Sequence, residues 1–294
     1  MDCAPAALLP AQRYRLPDLL QDIRLLDLLE LSGTTLQASR LLSMSQPTVS
    51  RRYRALARDF GLETNRRRLR GCCYGSTNTM RLLRLGCRTH RLEDGVARIG
   101  TDLLRQPLLD GLPWLLSSPP RFRAVASWLE LVREGVLDGA LISGLELDGA
   151  AELHIEDLEL VPLGGLRLLL AALATGPMDP CADWPPVLVP HRGVAAGLQR
   201  ALQQQGLVLR SAGNGCHHTA AWVQRLGGGE LAMTMADLDA AEAWPPLRRI
   251  ALPQPLLDPL WLALPADWRE QAVLATTVEQ LRSHPGLMVQ EGLT

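Results

Sequence analysis

Hydrophobic residues between positions 34 and 61 recur at helical spacing in two short segments, which are separated by a polar turn. In the first segment the apolar stripe is narrow and consists of Ala38, Leu41 and Leu42. In the second segment the apolar positions follow at steps of four, three and four residues, at Val49, Tyr53, Leu56 and Phe60. Spacing of this kind is typical of amphipathic helices, so the pattern predicts two helices that each bury one face.

Residues that begin and end helices stand at the edges of both segments. Thr34 and Gln37 have the spacing of a capping box, in which each side chain bonds to the other residue's backbone. Ser45 is a suitable N-cap for the second helix, and Pro47 falls in its first turn, where a missing N–H costs nothing. Gly61 is typical of a helix C-terminus. These residues predict two helices joined by a short turn.

The outer face of the second helix is polar and basic. It carries Gln46, Thr48, Ser50, Arg51, Arg52 and Arg58. An α-helix fits the major groove of DNA, where glutamine and threonine can bond to base edges and arginine can bind guanine or phosphate. Ser50 and Thr35 can bind phosphate oxygens, helped by the helix N-termini. A DNA-reading helix-turn-helix fits this pattern, and so does an ordinary amphipathic helix with a solvated arginine face.

The segment SMSQPTVSRRYRAL at 43–56 resembles the recognition helix of LysR-type transcriptional regulators. The matching positions are Ser45, Gln46, Pro47, Val49, Ser50, Arg51 and Leu56. Residues 26–33 resemble the end of the first helix in that family, and Ala38 matches one of its paired alanines. The chain departs from the family at Ala57, where Glu is usual, and at Thr64 and Asn65, where a Leu-Phe pair opens the wing.

The chemistry of the side chains on these helices and the resemblance together predict which residues contact DNA. In the two helices these are Thr34, Thr35, Ser45, Gln46, Pro47, Thr48, Ser50, Arg51 and Arg52. In the segment that resembles the wing they are Arg66, Arg67, Arg68 and Arg70. This basic cluster directly follows the recognition helix, so phosphate contact is favoured over a solvated loop.

Charge is distributed unevenly along the chain, although the formal net charge is only −1. Residues 1–105 hold 18 Arg against 10 acidic residues, whereas residues 106–294 hold 12 Arg against 21 acidic residues. A basic N-terminal part joined to an acidic remainder is typical of a tethered nucleic-acid-binding module. The charge pattern therefore supports double-stranded DNA as a partner.

From about residue 96 the pattern changes to strands that alternate with helices, which predicts an α/β fold with a largely parallel sheet. The predicted strands lie at 97–100, 121–127, 140–144, 158–171, 187–191, 207–213 and 230–237, with two crossing strands at 245–255 and 257–265. The predicted helices lie at 103–118, 128–139, 193–206, 217–229 and 272–284.

This order resembles the effector domain of LysR-type regulators. The matching segments are ARIG at 97–100, LVREGVLDGALISG at 131–144, LELVPLGGLRLLLA at 158–171 and VQRLGGGELAM at 223–233. The resemblance implies an α/β protein with an N-terminal mainly-α winged helix-turn-helix and a C-terminal two-lobed type 2 periplasmic-binding-protein-like effector domain. It covers about residues 16–285.

In that fold a small-molecule effector lies between the two lobes, where strand ends and helix N-termini offer polar groups. From their positions near strand ends and helix starts, the residues predicted to bind the effector are Thr101, Asp102, Ser143, His191, Arg192, His217 and Thr219. Each of them fits the role of a cap or turn residue as well.

Residues 76–96 predict a further helix, with Met80, Leu83 and Cys87 on one face. The resemblance gives this segment the role of a linker helix that packs against its partner in a dimer. One helix-turn-helix reads few base pairs, so a homodimer or homotetramer is expected. The expected division is a DNA-binding domain at 14–75, a linker and dimerisation helix at 76–95, and an effector-binding domain at 96–290.

Several other classes of function find no support in the sequence. No apolar run approaches the ~20 residues that span a bilayer, and no signal peptide is recognised, so a cytoplasmic protein with no membrane partner is expected. Cys87 and His90 have a Cys-x-x-His spacing, but a zinc site needs four well-placed ligands, so neither a metal nor a cofactor is expected. A redox role for Cys181 and Cys216 has no support in their spacing. No nucleophile elbow, His-Glu-x-x-His motif or dinucleotide fingerprint indicates an enzyme.

The resulting expectation is a bacterial LysR-type transcription factor that binds promoter DNA and responds to a small effector. Two alternatives remain open. One is a degenerate regulator that only dimerises with relatives or titrates them. The other is a cytoplasmic ligand-binding protein without sequence-specific DNA binding.

Overall fold

The computed structural model describes residues 9–63, 72–147, 155–174, 184–213, 219–227, 231–238 and 246–289. Its helices are α1 (Pro10–Arg13), α2 (Gln21–Ser32), α3 (Thr35–Leu41), α4 (Gln46–Asp59), α5 (Asn78–Glu93), α6 (Val125–Arg133), α7 (Gly144–Leu147), α8 (Ala196–Gln204), α9 (Thr219–Leu226) and α10 (Ala272–Arg282). Its strands are β1 (Ile99–Gly100), β2 (Gly139–Ser143), β3 (Leu158–Leu173), β4 (Val187–Val189), β5 (Leu209–Ser211), β6 (Ala232–Ala236), β7 (Leu247–Ile250), β8 (Leu256–Pro265) and β9 (Leu287–Met288). Short 3-10 helices lie at Asp18–Leu20, Gln106–Leu108 and Ala266–Trp268. In these ranges no helix has the length and apolar character needed to cross a membrane.

Helices α2, α3 and α4 share one apolar core at the N-terminal end of the molecule. α2 contributes Ile23, Leu25 and Leu29, and α4 contributes Val49 and Leu56. Their burial accounts for much of the stability of these helices, because packing of an amphipathic face outweighs helix propensity. The two helices predicted between residues 34 and 61 are confirmed as α3 and α4.

The N-caps of these helices are the predicted residues, but the capping box is only half formed, because among the described residues the Gln37 side chain does not bond back to the Thr34 N–H. Thr34 accepts a hydrogen bond from the backbone N–H of Gln37 at 3.1 Å, and Ser45 accepts one from the backbone N–H of Thr48 at 3.3 Å. The turn between α3 and α4 contains Ser43 at a φ of 53°, in the left-handed region that usually requires glycine. This turn sets the direction in which α4 leaves α3.

The described strands form one mixed sheet in the order β1-β2-β8-β3-β6-β4-β5, and β7 and β9 also pair with β3. The pairs β1–β2, β4–β5 and β4–β6 are parallel. The antiparallel pairs all involve β3 or β8. The expectation of a largely parallel sheet is therefore wrong, because two long strands cross the molecule against the direction of their neighbours.

Strands β3 and β8 divide the α/β part into two lobes. The C-terminal half of β8 pairs with β2 in the first lobe, while the C-terminal half of β3 pairs with β6 in the second. A register shift in β3 between Pro162 and Gly164 marks the passage between them. Gly164 has a φ of 138°, and a Cβ there would lie 2.8 Å from the carbonyl oxygen of Met288. These crossing strands give the α/β part the two-lobed layout that the resemblance implies.

Two local predictions of secondary structure are wrong. The helix predicted at residues 103–118 is replaced by turns around a 3-10 helix, since Gly111 has a φ of 84° and Pro113 lacks a backbone donor. The strand predicted at residues 121–127 is absent from this described segment, and α6 begins at Val125. Arg123, in this segment, instead contacts helix α2, where its guanidinium donates to the backbone carbonyls of Glu30 and Leu31.

Helix α5 joins the N-terminal helices to the first lobe through buried arginines. Arg84 Nε lies 2.9 Å from Asp27 Oδ1 on α2, and Arg91 Nη2 lies 2.6 Å from Asp138 Oδ1 in the first lobe. Arg88 donates to the backbone carbonyl of Leu137 at 2.5 Å. The described parts of the chain thus pack against one another through a charged interior as well as through leucines.

Candidate functional site

Helix α4 turns its apolar face inward and its polar face to solvent. Val49 and Leu56 are buried, and Tyr53 is half-buried beside them. Gln46, Pro47, Arg51 and Arg52 are exposed, while Thr48 and Ser50 are half-buried. The side chains predicted to touch DNA therefore lie on the accessible side of this helix.

The first turn of α4 is held in place by side-chain hydrogen bonds. The Ser45 and Thr48 hydroxyl oxygens lie 2.8 Å apart, and Gln46 Nε2 donates to Thr35 Oγ1 at 3.0 Å. The second bond joins the start of α4 to the start of α3. Two helix N-termini, each with backbone N–H groups that no intrahelical carbonyl accepts, are thereby brought together, which suits a DNA phosphate.

The two predicted base-reading arginines differ in their surroundings. Arg51 Nη2 lies 3.4 Å from Thr48 Oγ1, which orients its guanidinium along the outer face of α4. Arg52 Nη2 lies 2.5 Å from Asp22 Oδ1 on α2, so this side chain is directed back toward the protein. Arg51 is therefore the better placed of the two to reach a base edge.

Arg54 is an exposed arginine on α4 that the sequence analysis does not single out. It lies one helical turn beyond Arg51, and Arg58 lies one further turn along. These three positions form a basic stripe along the helix, which the helical spacing alone could have revealed. The wing arginines Arg66, Arg67, Arg68 and Arg70 lie outside the described residues.

The predicted effector residues of the first lobe lie where it meets the second. Asp102 accepts hydrogen bonds from the backbone N–H groups of Leu104 and Arg105. Arg105 joins Asp102 to Asp258 of β8 through one guanidinium, and Ser143 Oγ lies 2.5 Å from Asp258 Oδ1. Burial raises the pKa of Asp102, an effect that Arg105 opposes. Ser143 and Asp102 thus belong to one closed polar network.

Glu146 connects the two lobes, and the sequence analysis does not single it out. Its carboxylate oxygens accept the backbone N–H groups of Gly197 and Leu198 at the start of α8, each at 2.9 Å. Burial raises the pKa of Glu146, and these two hydrogen bonds oppose the shift. A carboxylate of the chain itself therefore occupies the helix N-terminus that an anionic effector would use.

Little space is left between the described parts of the lobes beside Ser143 and Glu146. The cavity beside Ser143 and Glu146 has a volume of about 20 Å³, which is roughly enough for one water molecule. Gly197 permits the close approach, since a Cβ there would lie 1.7 Å from the carbonyl oxygen of Leu145. The described residues of α7 and α8 are therefore in close contact across the two lobes.

The remaining predicted effector residues are scattered. Thr101 is buried and donates to the backbone carbonyl of Leu141 at 3.2 Å. His191 and Arg192 are exposed in the segment before α8, and Thr219 begins α9. His217 lies outside the described residues. The structure thus gathers Asp102 and Ser143 together, and it places Thr101 in a structural hydrogen bond.

The cysteines that the structure describes have no metal-binding geometry. Burial raises the pKa of Cys87 to about 11 and raises that of Cys72 further, so both are thiols at neutral pH. Within the described ranges, no group of His, Cys, Asp and Glu could hold a metal ion. Cys181 and Cys216 lie outside those ranges.

Comparison with known proteins gives matches among solved structures only. No protein-family model matches the chain, and no curated protein matches it. ArgP from Mycobacterium tuberculosis is 21% identical, with a TM-score of 0.48 over 94% of this chain and 100% of that one. A full-length OxyR variant from Pseudomonas aeruginosa is 12% identical, with a TM-score of 0.47 over 96% and 100%. CbnR, a LysR family transcriptional regulator, is 17% identical, with a TM-score of 0.46 over 90% and 98%.

Proposed function

We propose that this chain is a DNA-binding transcriptional regulator of the LysR type, which reads promoter DNA through α4 and responds to a small effector. The DNA reader comprises residues 14–75, the linker and dimerisation helix residues 76–95, and the effector-binding domain residues 96–290. The observation that carries this proposal is the exposed first turn of α4, which is capped by Ser45 and tied to α3 through Gln46 and Thr35.

The chemistry of α4 supports base reading rather than general surface solvation. Gln46, Thr48 and Arg51 project from the N-terminal half of the helix, the part that approaches base edges in helix-turn-helix proteins. Arg54 and Arg58 continue along the same helix, where they can neutralise phosphates. The net positive charge of residues 1–105 adds a favourable field for DNA.

Two copies of the reader are needed to recognise two half-sites. The outer face of α5 remains available for this purpose, since Leu82 is 69% exposed and Gly86 is exposed one helical turn away. The opposite face, with Met80 and Cys87, is buried within the chain. Dimerisation through α5 would therefore use the face that carries Leu82.

The closed cleft implies a way in which an effector acts. A ligand between the lobes has to displace the Glu146 carboxylate from the start of α8 and separate α7 from α8. Such a ligand changes the protein only if it binds the open arrangement more tightly than the closed one. The effector changes transcription by shifting the lobes and, with them, the spacing of the two readers. No catalytic role is part of this proposal.

The test is a gel-shift titration of the purified full-length protein on the DNA upstream of its own gene. It uses excess unrelated competitor DNA and two salt concentrations. A sequence-specific regulator gives a shift that resists the competitor and weakens as salt rises, because counterions are released on binding. Arg51→Ala is expected to weaken specific binding by ~1–3 kcal/mol.

Arg200→Ala is the matched control, because it removes one exposed arginine from α8, far along the chain from the reader. Its affinity should equal that of the unmodified protein. Equal affinity of Arg51→Ala would remove Arg51 from the reader. A folded dimer that gives no competitor-resistant shift would favour the degenerate regulator or the ligand-binding protein.

A further inference from the structure

A large cavity lies between the N-terminal helices and the first lobe, away from the cleft between the lobes. Its volume is about 380 Å³, which is within the range of small-molecule sites. Several elements contribute to its wall, through Tyr14 before α2, Arg24 on α2, Leu41 on α3, Arg91 on α5 and Arg98 before β1.

The charges around this cavity do not balance. Its lining includes Arg15, Arg24, Arg91 and Arg98 and one acidic side chain, Asp27, and of these arginines Arg91 is already paired with Asp138, which is outside the lining. Asp27 is already shared, since it lies 2.9 Å from Arg84 Nε and 3.3 Å from Arg98 Nη1. Arg15 and Arg24 are exposed, which leaves Arg98 as the buried arginine of this lining with only weak pairing. Buried cations are costly unless they are paired, so the cavity favours a negatively charged occupant beside Arg98.

Arg98 shows this deficit most clearly. The residue is 5% exposed, its Nε has no hydrogen-bond partner among the described residues, and its bonds to Asp27 and to the carbonyl of Val136 are long, at 3.3 and 3.4 Å. Burial, followed by the neighbouring charge of Arg91, lowers the pKa of Arg98. An anion in the cavity would supply the missing counter-charge and acceptor.

Tyr14 and Arg24 also line the cavity. The Tyr14 hydroxyl is buried without a hydrogen-bond partner in the described part of the chain, and burial raises its pKa to about 12, so it keeps its proton at neutral pH. Arg24 is exposed at the mouth and forms no ion pair with the described residues. The other walls are apolar and are formed by Leu16, Leu28, Leu41, Leu115 and Leu116.

We propose that this junction cavity binds a small organic carboxylate, whose carboxylate accepts from Arg98, Arg24 and Tyr14 and whose apolar body lies against the leucines. Planar guanidinium groups match the carboxylate geometry, and an apolar body gains from burial against leucine side chains. The site is separate from the cleft that holds Asp102, Ser143 and Glu146.

Occupancy of this site would link the reader to the rest of the molecule. The cavity touches α2 and α3 of the reader on one side and the first lobe on the other, so a bound ligand stabilises one way of packing them. This consequence for DNA binding rests on the proposed function, whereas ligand binding itself does not.

The experiment is calorimetric titration of the full-length protein, without DNA, with sodium benzoate, its neutral analogue benzamide, and inorganic phosphate. Benzoate is expected to bind at least about tenfold more tightly than benzamide, because only the carboxylate pairs with the arginines. Phosphate, which lacks an apolar body, is expected to bind more weakly than benzoate.

The benzoate affinities of substituted proteins show where benzoate binds. Tyr14→Phe removes a hydroxyl that no described residue uses, so the fold is retained while the affinity for benzoate falls severalfold. Arg24→Ala should weaken benzoate about tenfold, whereas Arg200→Ala, which removes an equally exposed arginine elsewhere, should have no effect.

The proposal is overturned if benzoate does not bind at concentrations up to about 10 mM, a limit that corresponds to negligible affinity. It is also overturned if affinity responds to Glu146→Gln but not to Tyr14→Phe and Arg24→Ala, because the ligand would then occupy the cleft. Tighter binding of phosphate than of benzoate would overturn the assignment of a carboxylate with an apolar body. None of these outcomes depends on whether the protein binds DNA.

Discussion

Single residues fix the ends of helices α3 and α4 and the way these two helices meet. Ser45 and Thr34 cap their helices through hydroxyl groups, and Gln46 ties the two helix starts together. Ser43 instead destabilises the turn, because its φ of 53° lies in a backbone region that costs an L-residue about 1–2 kcal/mol. The turn between α3 and α4 is therefore a place where the chain stores strain.

Replacing Ser43 with glycine should stabilise the protein. Glycine relieves the left-handed strain but gains freedom in the unfolded chain, so the expected net increase in unfolding free energy is about 0.5–1 kcal/mol. Ser43→Val should lower it instead, because β-branched residues tolerate this region poorly. Urea denaturation of the two variants checks the prediction, which fails if both shift the midpoint in the same direction.

At the scale of one helix, α5 is unusual because arginines form much of its buried face. Arg84, Arg88 and Arg91 lie at steps of four and three residues and are each at most 2% exposed. Asp138 anchors two of them and also accepts the backbone N–H of Arg98 at 2.7 Å. Although burial favours protonation of Asp138, Arg91 and Arg88 outweigh this and lower its pKa below the ordinary value of 3.8.

Asp138→Asn should therefore destabilise the protein in a pH-dependent way. At pH 7 the loss is about 3–5 kcal/mol, because buried arginines lose their counter-charge. A depressed carboxyl pKa contributes stability above the unfolded pKa and loses it as the pH falls through the folded value. The difference between Asp138→Asn and the unmodified protein should thus shrink as the pH falls below 3.8.

Urea unfolding at a series of pH values measures this effect. Asp157→Asn is the control, since Asp157 has a 59% exposed side chain and pairs with Arg133 at the surface. Its cost should stay below about 1 kcal/mol at every pH. A loss for Asp138→Asn that is the same at pH 7 and at pH 3 would contradict the role assigned to its charge.

At the scale of the whole molecule, two spaces between its parts differ in volume. Among the described residues, the cleft beside Glu146 retains only about 20 Å³, whereas the junction beside Arg98 retains about 380 Å³. Closure of the cleft depends on Gly197, where α7 and α8 approach each other more closely than a side chain permits. A change at this one position should therefore separate the lobes.

Gly197→Ala is expected to open the cleft, because its Cβ would lie 1.7 Å from a backbone oxygen that cannot move aside alone. The backbone N–H of Leu198, which donates to Glu146, should then exchange with solvent faster. Hydrogen–deuterium exchange of residues 196–199 measures this. Ala196→Ser, at an exposed neighbour, is the control. Unchanged exchange in Gly197→Ala would show that the lobes are not held together at this point.

The sequence by itself determined the elements whose signals are local. Capping residues, a proline and a helical apolar stripe were sufficient to predict α3 and α4, because hydrogen bonds and side-chain spacing within one turn decide these features. Most strands and helices of the α/β part were predicted for the same reason. The exceptions were residues 103–118 and 121–127, in which the apolar and alternating patterns reflect contacts with distant parts of the chain.

The tertiary structure alone decided which polar residues meet. Glu146 and the start of α8 are about 50 residues apart, as are Arg91 and Asp138, and no local spacing connects them. The direction of β3 and β8 was likewise set by the sheet as a whole, which turned an expected parallel sheet into a mixed one. The charge imbalance beside Arg98 also depends on packing, because a guanidinium becomes short of partners only when the folded chain withdraws it from water.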